Sequence, residues 1–303
     1  MMKIMMLFII LLIFPVFIGA VSYNLNSYNK VIYVSTTGSD SLGNGSEGNP
    51  YATVNKAVEA AASSGDAIYI KPGEYDVTNS YSFGQNSGLN NFGKNVDFIG
   101  VPKETVLYIH GEIATDRDMH FYSGTGFSKI YNMFFIRNSN NRSTNYMNSF
   151  FGFGFVQGEI YNSVFKTINC PAPSLTYNNS GAVSVKVYNS VFDLETNMVN
   201  SYTGASNTTQ IINSVSDYSF AISDGNYYSN NLTNASFDSN YNILTSGWQN
   251  TGTGLDPDGS QADLGVYGGL NSWNSFPTVP EASNVLMMLL GMLVIMMSLK
   301  NQI

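Results

Sequence analysis

The chain has 303 residues, of which 11% are charged and 14% aromatic, and a formal net charge of -8. That acidity argues against nucleic acid or anionic lipid as a partner. Cys170 is the single cysteine, so no intramolecular disulfide can form, and stability must come from packing alone.

Met1 to Ala20 carries one cation, Lys3, then an apolar run from Ile4 to Ile18, then Gly19-Ala20. This is the layout of a secretory signal peptide over 1–20, with cleavage after Ala20 or Ser22; an uncleaved membrane anchor is the alternative. Val31 to Ser35 reads as a strand, and Thr36 to Pro50 as a polar loop. Asn49 as N-cap, Pro50 at the first helical position and Tyr51, Val54, Val58 and Ala61 at helical spacing predict an amphipathic helix over 50–62. Ala67 to Ile70 reads as a strand and Pro72-Gly73 as a turn.

The middle of the chain repeats one phrase four times. It reads Ile130-Tyr131-Asn132-Met133-Phe134-Phe135, Ile160-Tyr161-Asn162-Ser163-Val164-Phe165, Val187-Tyr188-Asn189-Ser190-Val191-Phe192 and Ile211-Ile212-Asn213-Ser214-Val215-Ser216. The Asn residues stand 30, 27 and 24 positions apart. Such a period marks a solenoid, and the alternation of apolar and variable residues is that of strands. Together with Val96 to Gly100 and a weak copy at Tyr227 to Asn230, the phrases predict an all-β chain, a parallel β-helix of about seven coils. Asn132, Asn162, Asn189 and Asn213 are then expected at one corner, each amide bonding the Asn above and below it.

Tyr33-Val34-Ser35, Gly38-Ser39-Asp40, Gly48 to Thr53, Ala57, Ala60-Ala61 and Gly65 to Tyr75 resemble the N-terminal cap of bacterial right-handed parallel β-helix proteins of the pectin-lyase-like superfamily. Asp256-Pro257-Asp258-Gly259-Ser260, Ala262 to Gly265 and Tyr267-Gly268-Gly269 are similar to the closing segment of such proteins. The resemblance implies a cap over 31–66, its helix lying across the first coil, and a β-helix domain over 67–275.

Residues 276–283 read as linker and sorting motif, and 284–303 as a membrane segment ending near Lys300. Val279, Pro280, Glu281 and Ser283 resemble the PEP-CTERM signal of Gram-negative bacteria, although Ala282 stands where that signal has its second Pro. The resemblance implies an exosortase-like sorting enzyme as partner and delivery to the cell surface. A plain C-terminal anchor is the other reading, with a GPI-type tail as a third.

Four groups are candidates for chemistry. Lys166, Asp193 and Asp217 each lie four residues after a repeat Asn and should form one outward column. The superfamily resemblance implies that Lys166 can act as the base of a polysaccharide lyase, with Asp193 and Asp217 holding calcium; neighbouring carboxylates would hold that Lys charged, and a salt-bridge ladder explains the same residues. Asp116-Arg117-Asp118 with His120 and His110 could bind calcium, serve hydrolysis or simply build a polar loop, and Asp256, Asp258 and Asp263 around Gly259 could bind calcium or simply build a turn. Tyr131, Tyr161 and Tyr188 precede the corner Asn at outward positions. They form either a platform for sugar rings or a stabilising stack. Cys170 has no partner at readable spacing for nucleophilic work. The expected function is an exported surface protein that contacts polysaccharide or another cell-envelope glycan without catalysis. The alternatives are a calcium-dependent uronate lyase and a purely structural or adhesive protein.

Overall fold

The structure, a computed structural model, describes residues 25–62, 64–76, 94–110, 128–138, 151–155, 157–169, 173–176, 184–197, 208–220 and 227–274. Numbered in chain order, its strands fall into three all-parallel sheets. Sheet 1 stacks β1 (Lys30–Val34), β2 (Ser64–Ile70), β4 (Asn95–Ile99), β6 (Lys129–Tyr131), β9 (Gln157–Tyr161), β12 (Ser184–Tyr188), β14 (Thr208–Ile212) and β16 (Tyr227–Ser229). Sheet 2 stacks β3 (Gly73–Asp76), β5 (Thr105–His110), β7 (Phe134–Asn138), β10 (Val164–Ile168), β13 (Val191–Asp193) and β15 (Val215–Ser216). β8 (Phe151–Phe155) and β11 (Pro173–Thr176) pair as a third wall. The chain passes from sheet 1 to sheet 2 in every coil, giving a right-handed parallel β-helix.

Alternation fills the cylinder. Ile32, Ile68, Phe98, Ile130, Ile160, Val187 and Ile211 share one inward register in sheet 1. In sheet 2, Phe135, Phe165 and Phe192 point inward and stack with centroids 5.3 and 4.8 Å apart. Arg137, two residues beyond Phe135, also lies inside and is 1% exposed.

The capping helix α1 (Val54–Ala60) is shorter than the predicted 50–62. Its N-cap is Thr53, whose hydroxyl accepts from the Lys56 N–H at 3.2 Å, and not Asn49. Tyr51 is held extended because it exchanges backbone bonds with Tyr33 and Ser35. Asp40 then accepts from the Ala52 and Thr53 N–H groups, so the helix cannot begin earlier. At its far end Lys94 Nζ donates to the carbonyls of Val58, Glu59 and Ala61, a cation where the helix dipole favours one. Val54, Ala57 and Val58 face the interior and close the first coil.

Residues 232–274 run back as a strap along the outside of sheet 2. Ala235, Tyr241, Ile243, Leu264, Val266, Tyr267 and Trp273 form a second apolar layer over Val164, Val191 and Val215. Lys103, in the β4–β5 turn, lies 5.3 Å from the Tyr267 ring centroid and 5.9 Å from that of Trp273, where the strap ends. Among the described residues no helix is long and apolar enough to cross a membrane. Both apolar segments predicted from the sequence lie outside those residues.

Candidate functional site

The repeated phrase assigns one task to each position. Its Asn turns the corner between sheets: Asn132, Asn162, Asn189 and Asn213 adopt φ of 57°, 47°, 49° and 54°. Asn tolerates this left-handed region better than other residues with a side chain. The N–H groups of these four Asn bond to the next coil, at Tyr161, Tyr188, Ile212 and Ser229 O.

The Asn amides do not form the predicted ladder, because the strap reaches them first. Asn162 Nδ2 donates to Val266 and Gly268 O at 3.1 and 2.8 Å. Trp273 Nε1 donates to Asn162 O at 2.7 Å. Asn213 Nδ2 donates to Thr253 O, and Thr253 N–H returns a bond to Asn213 Oδ1, both at 2.8 Å. Gly269 crosses Asn189 so closely that a Cβ there would meet Asn189 Nδ2 at 1.9 Å. Only Gly fits that crossing, and its φ of +74° suits Gly as well.

The inter-coil ladder is built instead by the next residue, which sequence reasoning missed. Ser163, Ser190 and Ser214 hydroxyls accept from the N–H of Met133, Ser163 and Ser190, each at 3.2 Å. Each hydroxyl donates to the carbonyl two residues earlier. The signal was present in the repeat as a Ser after Asn in three of four phrases.

The Tyr before Asn132, Asn162 and Asn189 stacks on the outer face of sheet 1. Tyr131 and Tyr161 centroids are 5.1 Å apart at 14°, and Tyr161 and Tyr188 are 5.0 Å apart at 11°. The rings therefore cover one another's faces and present edges and hydroxyls outward, so a platform of three free faces is not what the column offers. Tyr188 ends it, with Ile212 in register on the next coil. Burial raises the phenol pKa of all three. Tyr161 Oη donates to Glu159 Oε2 at 2.7 Å. Leu25 and Tyr28 cover the earlier part of this face, over Ala67, Tyr69 and Ile99. That apolar cluster ends at Tyr131, and Tyr161 and Tyr188 belong to no buried cluster.

Lys166, Asp193 and Asp217 do come together on sheet 2, but not as an exposed column. Lys166 Nζ bonds Asp193 Oδ2 at 2.5 Å, and Tyr241 from the strap donates to the same oxygen at 3.0 Å. Asp217 accepts from the Leu194 N–H at 2.9 Å. Burial, then the charge of Asp193, pushes its carboxyl up to about 6. An ammonium tied to a carboxylate is poorly placed to take a proton. Among the described residues no three His, Cys, Asp or Glu side chains converge as a metal site. Asp256, Asp258 and Asp263 accept from Gly269, Ser260 and Asn250 N–H, respectively, and so brace the strap. Asp116, Arg117, Asp118, His120, Cys170, Val279, Pro280, Glu281 and Ser283, and the His110 side chain, lie outside the described residues.

No protein-family model and no curated protein matches the chain. Among solved structures it is similar to a rhamnogalacturonan lyase, at 16% identity and TM-score 0.34 over 67% of this chain and 57% of that one. It is also similar to the pectate lyase Pel9A, at 15% identity and TM-score 0.29 over 79% and 96% of the two chains. A pectin methylesterase from Aspergillus niger matches at 12% identity and TM-score 0.29 over 76% and 93%. The chain thus spans 57% of the length of the first. At these identities the likeness is one of architecture, and no activity is carried over by it.

Proposed function

We propose that the protein is an exported β-helix that holds extracellular polysaccharide at the cell surface without a catalytic step. The observation behind this reading is the Tyr131–Tyr161–Tyr188 column on a face that the strap leaves open. The row of ring edges and hydroxyls beside Glu159, Lys186 and Gln210 supplies hydrogen bonds along three coils. The signal peptide and the PEP-CTERM-like motif provide the route: export, then membrane retention until an exosortase-like enzyme cuts at Val279 to Ser283. The uronate-lyase reading is weaker, since Lys166 is committed to Asp193.

Affinity electrophoresis of the mature chain in gels containing soluble polysaccharides tests the proposal. Retardation in at least one gel is expected, and Tyr161→Ala with Tyr188→Ala should abolish it while the far-ultraviolet spectrum is kept. Silence against every glycan, together with aggregation of cells displaying the protein, would favour the adhesive reading. Release of an unsaturated, ultraviolet-absorbing product that Lys166→Ala abolishes would establish the lyase.

A further inference from the structure

The polar row beside the tyrosines has a charge pattern that narrows the ligand. Two residues before each Tyr, on the same outward face, stand Lys129, Glu159 and Lys186, with Gln210 next in register. Three coils therefore present an aromatic edge beside, in order, a cation, an anion and a cation, and the fourth carries the amide beside Ile212. The strip is bounded at one end: Asp97 accepts from Tyr28 Oη and from the Lys129 N–H, both at 2.9 Å, and Leu25 and Tyr28 form a wall there. Within the strip the Lys186–Glu159 pair is loose. Lys186 Nζ is 3.8 Å from Glu159 Oε1, and the Lys186 side chain is 37% exposed against 17% for Glu159. Such an exposed pair is weak, and the lysine can turn to a better partner.

Successive rings advance by 5.1 and 5.0 Å, close to the length of one sugar in an extended glycan. A polymer lying along the column then meets one coil per sugar. A neutral glycan would leave both lysines without a charged ligand group, and a fully charged polyuronate would set a carboxylate against Glu159. We infer that the bound polysaccharide carries a carboxylate on every second sugar, placed over Lys129 and Lys186, with a neutral sugar's hydroxyls donating to Glu159. This rests on the glycan-binding reading above and names the class of glycan for that site.

Titration calorimetry of the mature chain against three polymers tests the inference: hyaluronan, whose uronates alternate with neutral sugars; polygalacturonate, charged at every sugar; and a neutral β-glucan. Hyaluronan is expected to bind about tenfold tighter than either of the others. Lys186→Gln should remove about that factor and flatten the dependence on salt. Glu159→Gln should raise affinity for polygalacturonate several-fold. If the β-glucan or polygalacturonate binds as well as hyaluronan, and Lys186→Gln changes nothing, the charge pattern is irrelevant and the inference falls while glycan binding stands. If no polymer binds, the glycan reading fails and this inference with it.

Discussion

The two outer faces of the cylinder come from the same repeated phrase yet meet different fates. On sheet 2 the residue after Ser is Val164, Val191 or Val215, each 0% exposed beneath the strap. On sheet 1 the residue before Asn is a tyrosine, half-buried and open along one edge. A row of valines in water must find a cover, whereas a tyrosine buries its body against its neighbours and keeps a polar tip wet. Which face the strap covers and which it leaves to the tyrosines is therefore written at two positions of the repeat.

The largest test of that difference is Val191→Asp. A carboxylate between sheet 2 and the strap has no partner there, and a loss of several kcal/mol is expected. Denaturant unfolding should shift far to lower concentration, with proteolysis inside 232–274 appearing first. A variant as stable as the parent would mean that the strap is not packed on sheet 2. Phe165→Ala comes next, because it empties the middle of the interior stack; a loss of about 3–5 kcal/mol is expected by the same measurement. Asn162 joins the two layers. Asn162→Gly keeps the left-handed corner but loses two bonds to the strap, about 1–2 kcal/mol, and Asn162→Ala adds about 1 kcal/mol of backbone cost.

The cover also leaves a pH signature. Asp217 has its carboxyl raised to about 6 in the fold, against about 4 in the unfolded chain. The folded state thus binds the proton more tightly, and the ionised form carries a penalty above pH 6 that fades as pH falls from 6 to 4. Because the group is only half-buried, the gain on acidification is at most about 1 kcal/mol after solvent screening. Asp217→Asn should keep the acceptor for the Leu194 N–H, raise the melting temperature at pH 7 and remove this part of the slope. An unchanged slope in that variant would place Asp217 in water, outside the cover.

Much of this was legible in the sequence. The phrases gave the strands, the inward Phe column, the outward Tyr column and the Asn corner, since period-two alternation and tolerance of positive φ are local properties. The partner of each corner was not legible. Asn162 and Asn213 amides bond residues 40 to 106 positions away, a fact of tertiary path that no repeat encodes. The helix start failed for a similar reason. Asn49-Pro50 is good local capping chemistry, but Asp40 and the bridge from Tyr51 to β1 hold that stretch extended. Lys166 and Asp193 were placed correctly on an outward register, yet their cover, Tyr241, came from a segment with no repeat to announce it.

One modest expected effect bears most directly on function. Tyr188 lies between Tyr161 and Ile212 and is only partly buried, so Tyr188→Ala should cost about 1–2 kcal/mol, a shift of a few degrees in melting. Polysaccharide retention should nevertheless drop sharply, because the ring edge and hydroxyl beside Lys186 are removed. Val191→Ala is the matched control: two methyl groups are lost from a site with no solvent, at a comparable or larger cost in stability, and binding should be untouched. If Tyr188→Ala destabilises the chain as Val191→Asp does, the tyrosine face is covered after all, and the open face of sheet 1 ceases to exist as a place for a ligand.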